Sequence, residues 1–400
     1  MFDELGPWPN DRKVALAVSG GADSMGLALL AASWGNPIAL IVDHGLRPES
    51  AQEAGLTATR LSAIGVPAHI ITLDNLTPGP ALAARARAAR YSALTSAALE
   101  NGCLDLLLAH HSADQAETLL IRRAARSGPA GLAAMAPIVH TAALRIVRPL
   151  LDIAPSELRA ALRAAGIAWV DDPSNRNPAA QRTRIRVTLA DPDGTGAETL
   201  ALVAATKESA NQRASLDSKI ASELAACATI YPEGFAQLSP SLPSPAALAS
   251  LIQALGGRDY PPGRAAVARL AANQAPAVLA GMRLVRAGRL GPGWLLIREA
   301  AAIQPPIPAA PGSLWDRRFR ISRNAELPPG ATIGALGADA ARFRRATTLP
   351  SAVLATLPAV RINAMLAVVP HIGYLDAGTC SSLPIFFAPA VPAAGAPFGA

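Results

Sequence analysis

Cysteine, aromatic residues and lysine are all scarce in this 400-residue chain, and the cysteine count closes off several classes of protein. The three cysteines, Cys103, Cys227 and Cys380, lie far apart and form no C-x-x-C pair. No disulfide framework, structural zinc site or cysteine-held iron–sulfur cluster is therefore expected. No stretch reaches 18 apolar residues without a charge, and Met1–Pro7 lacks the basic and apolar regions of a secretion signal. The expectation is a cytoplasmic protein with no membrane partner. Lysine occurs only at Lys13, Lys207 and Lys219, so nearly all positive charge is arginine. With abundant Ala and Pro this is a compositional bias, which weakens any helix reading based on Ala alone.

Length and charge set the scale. Four hundred residues suffice for two or three domains, at least one with a sizeable core. The net charge of +7 is uneven. Residues 1–190 carry 18 basic and 16 acidic side chains, whereas residues 258–345 carry 14 basic and 5 acidic. The second region is either a face for a polyanion or a solvated basic surface.

What is present begins with Val14-Ala-Leu-Ala-Val18, an apolar run that reads as a buried strand. It passes through Ser19-Gly20-Gly21 into a helix predicted over 22–34. Glycines that let the backbone approach a ligand, followed by a helix N-terminus with free amides, form an anion site. No Lys follows the glycines and no G-x-G-x-x-G is present, which excludes the Walker and dinucleotide loops. Asp23 and Ser24 leave two readings. A carboxylate beside a phosphate cradle makes sense with a divalent ion between them; otherwise the pair is an ordinary helix cap.

Further runs at 37–42, 68–73 and 104–109 read as strands, with helices at 50–64, 80–99 and from about 112. This order predicts a parallel, doubly wound α/β sheet with ligands at the strands' carboxyl ends. A second polar cluster falls there, His110-His-Ser-Ala-Asp-Gln-Ala-Glu-Thr118. Asp114 and Glu117 share a helix face, either as a metal-facing pair with Asp23 or as a cap for the first amides.

These residues resemble a known family. Ser19-Gly20-Gly21-Ala22-Asp23-Ser24 resembles the pyrophosphate loop of N-type ATP pyrophosphatases. His110 to Thr118, with Arg126-Ser-Gly-Pro-Ala-Gly-Leu132 after it, resembles the second motif of tRNA(Ile)-lysidine synthetases. Val42-Asp-His-Gly-Leu46, Ala86-Arg-Ala-Ala-Arg-Tyr91, Arg148-Pro-Leu-Leu151, Trp169-Val-Asp-Asp-Pro-Ser-Asn175 and Arg182-Thr-Arg-Ile-Arg186 follow in the family's order. The match covers about residues 12–190, with weaker echoes such as Val368-Val-Pro-His-Ile-Gly-Tyr374. Three positions depart from the pattern: Ala113 before Asp114, Ala83 before the Arg-x-x-Arg-Tyr segment, and Thr183.

The resemblance implies a PP-loop ATPase fold, similar to adenine nucleotide alpha hydrolases. It implies an ATP-dependent ligase forming a carbon–nitrogen bond, with L-lysine joined to cytidine 34 of tRNA(Ile) bearing a CAU anticodon. ATP would lie on Ser19 to Ser24 and Mg²⁺ on Asp23 and Asp114, with Asp23, His111 and Asp114 as catalytic residues. Arg87, Arg90, Arg182, Arg184 and Arg186 are expected to touch tRNA. The last three, two apart, would share a face on a strand or grip phosphate from an irregular segment. The catalytic domain is expected over 1–190, a helical tRNA-binding domain over 197–302, and a small C-terminal α+β or β domain over 313–390. Turns at 191–196 and an extended linker at 303–312 separate them, and a homodimer is compatible with the pattern. Two other functions stay open, a tRNA thiolase of the same loop class and a non-catalytic nucleotide- or tRNA-binding module.

Overall fold

Burial of the first strand on both of its faces sets the architecture. The computed structural model describes residues 1–45, 49–73, 79, 82–141, 143–170, 181–376, 383–389 and 391–394, without the side chains of residues 83, 129 and 130. The chain forms two compact units, the first from Met1 to Ala214 and the second from Ser215 onward.

In the first unit, β1 (Lys13–Val18), α1 (Ala22–Trp34), β2 (Asn36–Asp43), α2 (Ser50–Ala63), β3 (Ala68–Thr72), α3 (Leu82–Glu100), β4 (Asp105–Leu107) and α4 (Ser112–Ala124) follow in order. Then come α5 (Pro129–Leu132), β5 (Ile138–His140), β6 (Arg145–Val147), α6 (Pro155–Ala164), α7 (Gln181–Leu189) and α8 (Ala197–Cys227), whose last turns belong to the second unit. The sheet runs β3-β2-β1-β4-β6-β5, parallel except for β5. Val14, Leu16 and Val18 point to one face, against Met25 and Leu27 of α1, Leu61 of α2 and Leu158 and Leu162 of α6. Ala15 points to the other, among Leu40, Leu106 and Leu94 and Ala98 of α3. Each fully buried Leu contributes about 1.5–3 kcal/mol, so the strand is held from both sides. Both faces of a parallel sheet are thus covered, which is why β1 reads as an unbroken apolar run.

The chain winds β1-β2-β3 in one direction and then returns to place β4 on the far side of β1. Strand order reverses between β1 and β4, and in open α/β sheets that crevice receives the ligand. The two polar clusters of the sequence follow these two strands.

The second unit holds the helices expected over 197–302, α9 (Pro245–Leu255) and α10 (Arg264–Asn273), and adds a five-stranded antiparallel sheet. Its strands are β7 (Ala228–Tyr231), β8 (Phe235–Leu238), β9 (Ala277–Leu279), β10 (Met282–Arg286) and β11 (Trp294–Arg298). Strands of three to five residues among Ala-rich helices give too short a period-two signal to stand out. After them come β12 (Ile307–Pro308), β13 (Leu314–Trp315), β14 (Phe319–Ile321) and β15 (Ala331–Ala335). The last elements are the short helices α11 (Ala340–Phe343) and α12 (Ser351–Leu354), then β16 (Pro358–Ile362), β17 (Met365–Val369), β18 (Tyr374–Leu375) and β19 (Ile385–Phe387). The segment read as a linker at 303–312 contributes β12, which pairs with β15. The turn at 191–196 is built on Asp191, whose carboxylate accepts from the amides of Gly194, Thr195 and Gly196. No helix among the described residues is long and apolar enough to cross a membrane.

Candidate functional site: a glycine loop facing a carboxylate pair

The loop after β1 needs its glycine. Gly20 has φ +86°, and a Cβ there would lie 2.4 Å from Oγ1 of Thr57, a buried residue of α2. The Ser24 hydroxyl donates to the Gly21 carbonyl at 3.0 Å and accepts from the Ser19 amide at 3.2 Å, tying the loop across itself. α1 begins with Gly21 as its cap, so its first amides, at Ala22, Asp23 and Ser24, have no partner within the helix. A Gly20→Ala variant is expected to lose about 1–2 kcal/mol from the left-handed backbone alone. The clash adds to this, and Thr57→Ala should restore only the clash part, read as urea-unfolding midpoints of the two single variants and the double variant.

Beside this loop, β4 ends at the second cluster. His111 caps α4 in extended backbone and is 6% exposed. Its Nε2 lies 3.5 Å from Asp23 Oδ2 and 3.6 Å from Asp114 Oδ2, so one imidazole joins the two carboxylates named by the sequence. Burial pushes the His111 pKa down, but Asp23, Asp114 and Glu117 outweigh it and leave the pKa raised. Asp114 is buried as well, which pushes its carboxyl up; His111, His110, the His111 amide at 3.2 Å and Arg186 bring it below the ordinary carboxylate range. The capping reading of Asp114 holds. Oδ2 caps the helix, while Oδ1 faces a cation, Arg186 Nη2, at 3.3 Å.

Arg186 belongs to a helix. Arg182, Arg184 and Arg186 lie on α7, not on a strand or an irregular segment as their spacing suggested. Helical geometry puts Arg182 and Arg186 on one face and turns Arg184 away. Arg186 bonds both oxygens of Glu117 as well as Asp114. Glu117 is 2% exposed, and burial raises its pKa against the pull of Arg186. An Arg186→Ala variant is expected to lose about 1–3 kcal/mol at neutral pH by stranding Glu117. Without the guanidinium, the folded-state pKa of Glu117 stands above its unfolded value, so the penalty should shrink as pH falls and Glu117 takes up a proton. Urea midpoints at pH 5 and pH 7.5 read this directly.

A different environment surrounds His110, whose Nδ1 is buried without a hydrogen-bond partner. Burial first, then Arg148, Arg182 and Arg87, push its pKa down to about 4 against Asp114. Arg87 and Arg90 of α3 pack their guanidiniums over the Tyr91 ring at 5.0 and 5.9 Å. Gln115 of the second motif is structural, since its side-chain amide exchanges two 2.9 Å bonds with the backbone of Met135. Asp43 likewise accepts from the Ser50 hydroxyl and the Gly45 amide, which lower its pKa and tie both residues to the end of β2. Leu46 and Asp171 to Asn175 of the quoted motifs lie outside the described residues.

No three His, Cys, Asp or Glu among the described residues are grouped to hold a metal alone. A small hard cation takes one or two carboxylates and completes its shell with water and substrate phosphate. Asp23 and Asp114, which both approach His111, are the two carboxylates that could serve such an ion.

A doubly wound sheet with a Ser-Gly-Gly-x-Asp-Ser loop at its switch point defines a PP-loop enzyme, a class that uses ATP. A family model described as a PP-loop domain matches residues 2–192. The chain is 36% identical to the tRNA(Ile)-lysidine synthase of Ruegeria pomeroyi, over 92% of this chain and 90% of the relative. It is 32% identical to that of Rhizobium meliloti over 81% of this chain and 75% of the relative. With that of Zymomonas mobilis it shares 45% identity over 45% of this chain and 56% of the relative. The chain belongs to the tRNA(Ile)-lysidine synthase family.

Proposed function

We propose that the protein ligates L-lysine to C2 of cytidine 34 in the CAU anticodon of tRNA(Ile), driven by ATP cleavage to AMP and pyrophosphate. The observation that carries this reading is the convergence of Asp23 and Asp114 on His111 beside the glycine loop, in a chain related along 92% of its length to a tRNA(Ile)-lysidine synthase.

The C2 oxygen attacks the α-phosphorus of ATP, and pyrophosphate leaves along the loop. Negative charge grows on the leaving group, and the amides of Ala22, Asp23 and Ser24 with the positive end of α1 stabilise it. Mg²⁺, when bound, would be held by Asp23 and Asp114 and would neutralise phosphate charge. His111, wedged between the two carboxylates, holds them in register. The neutral ε-amine of lysine then attacks C2, the bond to the adenylate oxygen breaks and AMP departs. No protein nucleophile takes part. The target base must leave its stack to reach the loop. Arginines of α3 and α7 and the basic accessory region at 258–345 hold the tRNA backbone, which positions without reading sequence.

The test is coupled product formation. AMP and pyrophosphate are expected only when tRNA is present, and lysine consumption should match AMP release one to one. AMP release with thiolation of the tRNA would favour a thiolase, and ATP binding without turnover would favour a binding module.

A further inference from the structure

Consecutive residues of an extended chain point in opposite directions. His111 is extended, at φ −122° and ψ −176°, so His110 and His111 divide the crevice between them. The His111 side is acidic, with Asp23, Asp114 and Glu117. Around His110 the cations predominate, Arg148, Arg182 and Arg87 against the one carboxylate of Asp114, and Arg182 also reaches toward Glu117.

The basic half is incompletely partnered. In the same unit Arg145, Arg159 and Arg186 each hold a carboxylate. Arg87, Arg90, Arg148 and Arg182 form no ion pair among the described residues. Arg148 and Arg90 are half-buried, with the Tyr91 phenol and the cation of Arg87 beside them. Arg148 Nη1 donates to the Ala136 carbonyl at 2.9 Å, and Arg87 Nη2 to the Tyr91 hydroxyl at 3.3 Å. Arg148 Nε and His110 Nδ1 remain buried without partners. Half-buried cations repelling one another are costly unless an anion joins them. Arg148 follows β6 directly, and β6 lies beside β4, so it stands at the carboxyl edge next to the switch point.

We infer that Arg148, with Arg87 and Arg182 around His110 and Arg90 over the neighbouring Tyr91 ring, forms an anion subsite for the phosphodiester backbone of the RNA loop being modified. This rests on the proposed function above and adds Arg148 as a binding residue. Charge matching favours RNA over the α-carboxylate of an amino acid. One carboxylate against four guanidiniums leaves most of the charge uncompensated, whereas successive phosphates along a strand meet several. The ATP phosphates already have a separate place at the N-terminus of α1. Arg87 and Arg90 lie over the Tyr91 ring, and planar guanidiniums are themselves surfaces on which unstacked bases lie.

The experiment measures tRNA affinity against salt concentration for the wild type, Arg148→Gln, Arg148→Lys and Arg87→Gln, with KM for lysine alongside. Loss of one phosphate contact should lower the log–log salt slope by about 0.7 and weaken binding on the order of tenfold at low salt, with KM for lysine unchanged. Arg148→Lys should keep the slope, and the exposed Arg87→Gln should repeat the loss where folding is not at risk. An unchanged slope and affinity in both Gln variants would overturn the subsite. So would a raised KM for lysine at an unchanged slope, which would make it a carboxylate site. Lysine incorporation by the wild type is scored separately, so an unchanged slope in an active enzyme rejects the subsite alone, while a slope loss in an inactive one keeps it as an RNA site.

Discussion

Asp23→Ala is expected to lower the rate of AMP formation by about 10²–10³, the scale seen when one preorganised electrostatic partner of a transition state is removed. Asp23 is the second residue of α1, in the loop predicted to receive polyphosphate. A carboxylate there repels phosphate unless a cation lies between them. The direction of the effect on binding therefore separates two accounts. With a bridging cation, Mg²⁺ should strengthen ATP binding to the wild type and do so much less for Asp23→Ala. With no cation, removing the carboxylate should strengthen ATP binding whether or not Mg²⁺ is present. Calorimetric titration of ATP with and without Mg²⁺ gives the sign, and Asp23→Asn shows whether charge or shape matters.

The second large effect concerns stability. Asp316 is 1% exposed and accepts from Arg298 Nε at 3.1 Å, Arg298 Nη2 at 3.0 Å, Arg318 Nε at 2.7 Å and the Gln304 amide at 3.1 Å. One carboxylate thus holds two buried guanidiniums. Burial, with repulsion from Arg298, pushes the Arg318 pKa down to about 10 despite Asp316. Asp316→Ala leaves both cations buried without their counter-charge, a change that costs about 3–5 kcal/mol. For a unit of this size that is roughly 10 °C in unfolding midpoint. Asp316→Asn, which keeps the shape and one acceptor oxygen but loses the charge and the second acceptor, should fall between. A shift below about 1 kcal/mol in urea unfolding of Asp316→Ala would contradict the assignment. The same cluster corrects the charge reading of residues 258–345. Arg298 and Arg318 count toward the basic excess, yet they are buried, so the surface offered to a polyanion is smaller than the sequence total.

The catalytic unit was readable because its signals are local and strong. β1 is an apolar run ended by glycines, and α1 spans residues 22–34 as expected. Each later strand of the parallel sheet that was read from an apolar run also forms. The pairing of Asp23 with Asp114 through His111 follows from strand order, which the β-then-α rhythm implies. What sequence did not reveal depends on non-local contacts. Arg186 looked like one of three equivalent basic residues, and only the packing of α7 on α4 pairs it with Glu117. Arg148 carried no motif of its own beyond Arg-Pro-Leu-Leu. A basic residue directly after a strand beside the switch point was the signal available. In the second unit, short strands among Ala-rich helices left the antiparallel sheet without a period to detect.

The most direct measurement is incorporation of labelled lysine into tRNA(Ile) transcripts with a CAU anticodon, in ATP and Mg²⁺, by wild type and Asp23→Ala. The account predicts incorporation by the wild type, loss in the variant, and none into transcripts changed at cytidine 34. A folded wild-type protein that binds ATP and these transcripts yet incorporates no lysine would contradict it.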